Sequence, residues 1–224
     1  MLRFLPIRRR QTPPRCLTPN YDFFGSTIIM QTVHFVEGSF YHIYNRGNNQ
    51  RDIFFQARNY EFFEEKIQRY ISVHCCLIAW CLMPNHFHLL VQANRQSCTT
   101  VRDKPIPIHA LTEGIRMLLS SYSKAIQKQE KSTGNLFQQK TKSKIVDSYL
   151  TNAFHYIHQN PLRAGLTSRL EDWKWSSFRY YFLREGAESL LPLEAARQHL
   201  SVNWDRFHDE SYAVVPTLIA AQLL

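Results

Sequence analysis

The chain has 224 residues, of which 44% are hydrophobic and 13% aromatic, and this composition is typical of a globular protein rather than a disordered one. Its formal charge of +9 is uneven: residues 1–29 carry five arginines against one acid (+4), which leaves +5 for residues 30–224. A modest basic excess suits a polyanionic partner without identifying one. The longest apolar run, "CCLIAWCLM", has nine residues and is too short to cross a bilayer.

The N-terminal segment and the cysteines say little about chemistry. The arginine-rich start resembles an organelle transit peptide, but strand and helix patterns begin only after "QTVHFVEG", so an unstructured tail over residues 1–33 is the simpler prediction. An upstream start placed before a true start at Met30 would explain it equally well.

The five cysteines are odd in number and lack CxxC spacing. They indicate reduced thiols, and neither a disulfide framework nor a cysteine-built zinc site.

The first half of the folded part predicts a strand, a helix and a hairpin. Residues 39–47 are strand-like and stop at a glycine, and residues 57–74 carry an apolar stripe at helical spacing. Residues 75–83 have the length of a buried strand. Pro84-Asn85 marks a turn, after which residues 86–92 predict a paired strand.

The second half predicts a helix, a strand and another helix. A long helical pattern covers about residues 108–131, after the polar insertion 93–107. Residues 136–146 alternate like an exposed strand, and residues 148–160 have helical periodicity up to Asn160-Pro161.

The order β–α–β–β–α–β–α predicts an α+β fold, a ferredoxin-like antiparallel sheet with helices packed on one face. We expect one main domain over residues 34–182 and a C-terminal helical appendage over residues 183–224.

The stretch "MPNHFHLLVQ" contains the first candidate site. His86 and His88 are two apart on a predicted strand, so both side chains face the same way. Two imidazoles on one face can hold a divalent cation and leave positions open for a third ligand, water or phosphate. Alone, the pair is more often structural, and the interpretation depends on the rest of the chain.

The helix before Pro161 supplies possible partners. Tyr156 and Asn160 are four residues apart and share a helical face, with Tyr149 on roughly the same side. Tyr156 could act as a nucleophile and Asn160 as a third metal ligand through its carbonyl oxygen. A packing tyrosine and a helix-capping asparagine are the structural alternatives.

Four motifs in order resemble one family: "MPNHFHLLV", "GNLFQQKTKSKIV", "YIHQNPLRAGL" and "DWKWSSFRYY". Together they look like the REP-associated tyrosine transposases, within the single-tyrosine HUH class, from about Gly38 to Tyr181. The long N-terminal tail and the insertion 93–107 depart from the family pattern and touch none of these motifs.

The resemblance implies a catalytic domain over residues 34–182 that cleaves and rejoins single-stranded or hairpin DNA through a 5′-phosphotyrosine. It places the metal ligands on His86, His88 and Asn160, for Mg²⁺ or Mn²⁺, and the nucleophile on Tyr156, with Tyr149 as the rival. It further implies a cytoplasmic, nucleoid-associated bacterial protein with no membrane partner. A monomer is favoured over a dimer.

Basic residues could follow the DNA backbone. Lys140, Lys142 and Lys144 alternate along the predicted strand, where lysines that protect an exposed sheet edge are an equally good explanation. The further candidates are Arg46, Arg163, Lys174 and Arg179. Aromatic residues of "DWKWSSFRYY" could stack on bases, although packing of Trp173 and Trp175 onto the core is the stronger expectation.

Two functions of other classes remain open. One is a domesticated sequence-specific DNA-binding protein of the same fold without cleavage activity. The other is a metal-dependent hydrolase in which Tyr156 is structural and the histidines activate water.

Overall fold

The computed structural model describes residues 34–102, 107–183, 193–213 and 215–223. The predicted tail over residues 1–33 lies outside the described residues. Within these ranges the strands are β1 (Phe40–Arg46), β2 (Cys75–Met83), β3 (His86–Ala93), β4 (Thr100–Arg102), β5 (Ile108–His109) and β6 (Lys142–Ile145). The α-helices are α1 (Ala57–Tyr70), α2 (Ala110–Gln129), α3 (Leu150–Arg163), α4 (Phe178–Phe182), α5 (Leu193–His199), α6 (Phe207–Tyr212) and α7 (Thr217–Gln222).

Four strands form one antiparallel sheet in the order β2-β3-β1-β6. The two central strands are β1 and β3, and β2 joins β3 through the turn at Pro84-Asn85, as the sequence predicts. Strand β4, within the polar insertion 93–107, and β5, directly after it, form a separate two-stranded ladder. The α+β class with a four-stranded antiparallel sheet and packed helices is thereby confirmed.

Helices α1 and α2 cover one face of the sheet. Side chains alternate along β3, so Phe87 faces away from His86 and His88. The Phe87 ring lies 5.1 Å from that of Phe63 on α1, and Phe63 lies 4.9 Å from Tyr122 on α2. This face holds much of the apolar core. Other parts of the chain cover the opposite face, which carries His86 and His88.

Helix α3 packs on the opposite face of the sheet, toward which His86 and His88 point. This differs from the expectation that the helices share one face. The His88 ring lies 6.2 Å from the ring of Tyr156 on α3. Nine of the fourteen residues of α3 are buried, on nearly every side of the helix. A helix buried all round needs cover on both sides, so α3 lies between the sheet and the C-terminal segment.

The motif "DWKWSSFRYY" closes the outer edge of β2. Backbone hydrogen bonds join Leu82 to Trp175 and Ser177 to Trp80, and an isolated bridge pairs Cys81 with Ser176. Trp175 stacks on Tyr60 with ring centroids 4.6 Å apart. The Trp173 indole donates to the Leu82 carbonyl at 3.1 Å. Trp173 and Trp175 therefore pack onto the core, as expected.

The C-terminal segment packs on α3 through α6 and α7. The Gln159 amide donates to the carbonyls of Ser211 and Ala213 at 2.9 and 2.7 Å. The segment, for which the sequence predicted helices, contains the three short helices α5, α6 and α7 among its described residues. No helix of the described ranges is long and apolar enough to cross a membrane.

Element boundaries differ from the sequence prediction in several places. Helix α1 ends at Tyr70, four residues before the predicted end at residue 74. The strand predicted over residues 136–146 is continuous only over Lys142–Ile145. Before it, an isolated bridge pairs Phe137 with Gly47 and Gln138 N donates to Arg46 O, whereas Asn45 Nδ2 donates to Gln138 O and Thr141 Oγ1 where the ladder is interrupted. Helix α3 ends at Arg163, three residues beyond the prediction, so Pro161 lies inside its last turn.

Candidate active site

The register of the sheet brings the predicted histidines and lysines onto one face. Tyr44 on β1 pairs with His88 on β3 and with Lys142 on β6. Arg46 pairs with His86, and His42 pairs with Lys144. Directly paired residues of antiparallel strands point to the same side. Three neighbouring strands thus present imidazoles, a phenol and cationic groups together, and we call this surface the histidine face.

A cleft of about 370 Å³ opens on the histidine face. It is lined by Tyr44, Asn45, Arg46, His86, His88, Gln138, Lys140 and Lys142. Three of these side chains are cationic and none is acidic. A concave surface with this lining attracts anions such as phosphate.

The two histidines differ in burial but are both held neutral. His88 is 2% exposed, and its ring lies edge-on to that of His86 with centroids 4.9 Å apart. Burial, assisted by the charge of Arg46, lowers the pKa of His86 to about 4. Burial lowers the pKa of His88 well below its usual value, with smaller contributions from His42, His86 and Arg46. Neutral imidazole is the form that binds a metal ion.

Tyr156 reaches the histidine face from α3. Its side chain is 3% exposed and does not line the cleft. Burial raises the pKa of the phenol, and the nearby Arg163 and Arg46 charges oppose that rise. The Arg163 guanidinium lies 5.4 Å from the centre of the Tyr156 ring. The structure therefore brings Tyr156 together with His88 and Arg163, while the phenol remains largely covered.

The side chain of Asn160 forms hydrogen bonds within its own helix. Its Nδ2 donates to the carbonyl of Tyr156 at 2.9 Å and approaches that of Ile157 at 3.4 Å. Pro161 has no N–H to donate to the Ile157 carbonyl, so the Asn160 amide stands in for the missing donor. This arrangement supports the structural interpretation of Asn160, and its role as a metal ligand stays a prediction.

The rival tyrosine has a structural contact. Tyr149 precedes α3, is partly buried, and donates its hydroxyl to the Ile145 carbonyl at 3.1 Å. It thereby ties the start of α3 to the end of β6.

The predicted DNA-binding residues separate into two groups. Arg46, Lys140 and Lys142 line the cleft, although Lys140 precedes β6 instead of lying on it. Lys144 shares the histidine face, and its ammonium donates to the Gln222 carbonyl of α7 at 2.7 Å. Arg163 is exposed beside Tyr156.

Lys174 and Arg179 belong to the segment at the edge of β2. Lys174 is exposed, and Arg179 donates to the Glu171 carbonyl at 3.0 Å. Neither side chain lines the cleft.

Sequence reasoning missed three residues of the site. His42, fully buried, shares a hydrogen bond of 2.8 Å with His88. Tyr44 stacks on His42 and His88, with ring centroids 4.7 and 5.9 Å away. Asn85 lies 2.5 Å from the His86 ring nitrogen Nδ1. Strand alternation places His42, Tyr44 and Arg46 on one face of β1. Only the β1–β3 register shows that this is the face that carries His86 and His88.

His86 and His88 fit a divalent cation that is held by two imidazole nitrogens and completes its coordination with oxygen ligands. His88 Nε2 is buried and has no hydrogen-bond partner among the described residues. A buried ring nitrogen without a partner costs free energy unless something binds it. In the part of the chain that the structure describes, no cluster of three His, Cys, Asp or Glu side chains suits a metal ion.

Comparison with known proteins gives a likeness of fold. No protein-family model matches the chain, and no curated protein matches it. Among solved structures, the chain is similar in fold to a REP-associated tyrosine transposase bound to a REP hairpin, with a TM-score of 0.51 and 16% identity, over 72% of this chain and 87% of that one. The resemblance predicted from the four motifs is confirmed as a likeness of fold.

Proposed function

We propose that this protein is a divalent-metal-dependent transposase that cleaves and rejoins single-stranded DNA at hairpins through a 5′-phosphotyrosine. The observation that carries the proposal is the histidine face, where two neutral imidazoles, a tyrosine from α3 and a cationic cleft adjoin. The likeness of fold to a transposase bound to a REP hairpin supports the choice of substrate.

His86 and His88 would hold Mg²⁺ or Mn²⁺, with the Asn160 carbonyl oxygen as the proposed third ligand. When bound, such an ion supplies Lewis-acid stabilisation of charge on the scissile phosphate. The chain's own residues do the rest of the binding. Arg46, Lys140 and Lys142 line the cleft and would neutralise the phosphates on either side of the scissile one.

Tyr156 would carry the covalent step. Its phenolic oxygen forms a bond to the 5′-phosphate phosphorus, while the bond from phosphorus to the 3′ oxygen breaks. The phenol loses its proton and the departing 3′ oxygen gains one, so the step is balanced without ATP. The phenol needs activation at neutral pH because burial raises its pKa, and Arg163 and Arg46 favour the phenolate.

A denaturing-gel assay tests the proposal. The full-length protein is incubated with end-labelled single-stranded hairpins from the DNA flanking the gene, with Mn²⁺ or with a chelator. We expect a covalent protein–DNA adduct that the chelator prevents. Tyr156→Phe should abolish the adduct, whereas Tyr149→Phe and Tyr44→Phe should retain it. Tight hairpin binding by the wild type without any adduct would refute the proposed chemistry.

A DNA-binding protein without cleavage activity is the second candidate. The 3% exposure of Tyr156 and the engagement of Asn160 by its own helix favour it. Both candidates predict hairpin binding through the cleft, and only the transposase predicts the adduct. We propose a monomer in either case, which chromatographic sizing combined with cross-linking measures directly.

A further inference from the structure

Asn85 fixes the proton position on His86. The Asn85 amide Nδ2 donates to the Gln50 carbonyl at 3.2 Å, which turns its oxygen toward His86. That Oδ1 lies 2.5 Å from His86 Nδ1. An amide oxygen only accepts, so the imidazole must donate from Nδ1. His86 then has no proton on Nε2, and the lone pair of that nitrogen is available.

His42 makes the corresponding contact with His88. His42 Nε2 lies 2.8 Å from His88 Nδ1, and the two residues are 0% and 2% exposed. Either ring can donate in this pair. If His88 donates from Nδ1, its Nε2 carries a lone pair. In that arrangement His42 carries its own proton on Nδ1, which is buried without a partner among the described residues. If His42 donates instead, the unpartnered buried N–H is at His88 Nε2, where it faces the site and takes the position of a cation.

Packing leaves little freedom to exchange these contacts. His42 and His88 are stacked, with centroids 5.0 Å apart and ring planes 19° apart. Tyr44 is the cross-strand neighbour of His88 and stacks on His42 at the same angle of 19°. The ring of His88 is thus held by neighbours on β1, and its two nitrogens have fixed directions.

We propose that His42 and Asn85 are positioning residues that hold His88 and His86 in the Nδ1–H tautomer, and so present two Nε2 lone pairs to one divalent cation. This inference rests on the proposed metal-binding function. Outer partners of this kind orient metal-ligating histidines and fix their tautomers. Neither residue acts on DNA itself.

Nitrogen-15 NMR of the histidine rings in the full-length, metal-free protein tests the inference directly. We expect both His86 and His88 to carry their proton on Nδ1, with the signal of an unprotonated nitrogen at Nε2. Resonances are assigned by single histidine substitutions. A proton on Nε2 of either histidine in the wild type would overturn the proposal.

Paired variants then separate the two contacts. His42→Phe removes the partner of His88 and should release only the His88 tautomer, while Asn85→Leu should release only that of His86. His42→Gln and Asn85→Asp each place an oxygen acceptor at the position and should restore Nδ1–H. His158→Gln replaces another fully buried histidine, which binds Ser177, and should change neither tautomer. Unchanged tautomers in folded His42→Phe or Asn85→Leu would contradict the assignment.

Mn²⁺ titration followed by electron paramagnetic resonance gives the functional consequence. We expect His42→Phe and Asn85→Leu to weaken Mn²⁺ binding about 10–100-fold, with the acceptor-keeping variants close to the wild type. Equal affinity in all variants would overturn the positioning role. Failure of the wild type to bind Mn²⁺ would instead refute the proposed metal site, and the tautomer measurement keeps the two failures distinct.

Discussion

Glu64 on α1 carries a partly buried carboxyl group outside the site. The Trp80 indole donates to its Oε1 at 3.2 Å. Burial raises the pKa of Glu64 to about 7, and the charge of Glu61 adds to the rise, while the Trp80 hydrogen bond opposes it. At the scale of the single residue, this group therefore binds a proton more tightly in the folded state than in the unfolded chain.

That preference predicts how stability depends on pH. Between pH 4.5 and 7 the folded protein holds a proton on Glu64 that the unfolded chain has released, so stability falls as pH rises through this window. Glu64→Gln should flatten the fall by on the order of 1–2 kcal/mol, as measured by urea unfolding from pH 4.5 to 8. Glu65→Gln, at an exposed neighbour, is the control and should keep the wild-type profile. Parallel profiles for both variants would exclude this role of Glu64.

At the scale of the elements, α2 packs against the end of α1 at a glycine. A Cβ placed on Gly114 of α2 would lie 2.2 Å from the carbonyl oxygen of Tyr70 and 3.1 Å from the His74 ring. The obstacle at 2.2 Å is backbone, which cannot move aside as a flexible side chain can. Gly114 is therefore required for the packing of these two helices on the sheet.

Gly114→Ala should destabilise the protein even though alanine is the better helix former. The steric cost of about 1–3 kcal/mol exceeds the propensity gain of about 1 kcal/mol. Ser123→Ala, elsewhere on α2, should change stability by less than about 0.5 kcal/mol. Chemical unfolding measures both, and a stabilised Gly114→Ala would show that the helices can separate without loss.

A second element-scale contact holds the C-terminal segment. Glu171 is 6% exposed, forms an ion pair with Arg169 and accepts a hydrogen bond from the Tyr212 hydroxyl of α6 at 2.9 Å. Burial alone would raise the pKa of Glu171, but its own backbone amide, Arg169 and Tyr212 outweigh it and lower the pKa to about 2. The ionised carboxylate is the form that holds α6 in place.

Glu171→Gln should loosen α6 and cost about 1–3 kcal/mol at pH 7. In the wild type this contribution is present above pH 4.5 and is lost as pH falls toward 2, because the unfolded chain then binds the proton first. Hydrogen exchange of the α6 amides as a function of pH measures the effect. Tyr212→Phe removes the hydrogen bond to Glu171 together with the one that the hydroxyl accepts from Leu170 N, so it should loosen α6 as well. Protection of α6 that survives both changes would show that the Glu171 contact does not hold the helix.

Across the whole molecule, sequence pattern predicts the elements better than their placement. Alternation and helical periodicity identify the strands and helices around His86, His88 and Tyr156. They do not reveal that α3 packs on the histidine face. That placement depends on which segments cover a helix that is buried on nearly every side. The roles of His42 and Asn85 were hidden for a similar reason, since they come from contacts between strands and from a turn amide.

Charge is also organised on the scale of the molecule. The cleft places Arg46, Lys140 and Lys142 beside the histidines, while α1 and α2 cover the opposite face of the sheet. If the proposed function holds, DNA meets one side of the protein only. Each phosphate contact on that side releases counterions from the nucleic acid, and basic residues that face away from the DNA make no such contact.

The salt dependence of DNA binding tests whether DNA contacts only the side that carries the cleft. For a single-stranded hairpin arm, Lys142→Ala should reduce the slope of log K against log salt by about 0.7, the value expected for one lost phosphate contact. Lys124→Ala removes an exposed lysine of α2 and should leave the slope unchanged, although it alters net charge equally. Fluorescence anisotropy from 50 to 300 mM salt measures both. Equal reductions would mean that overall charge, rather than the cleft, attracts the DNA, because a general field does not distinguish the two faces.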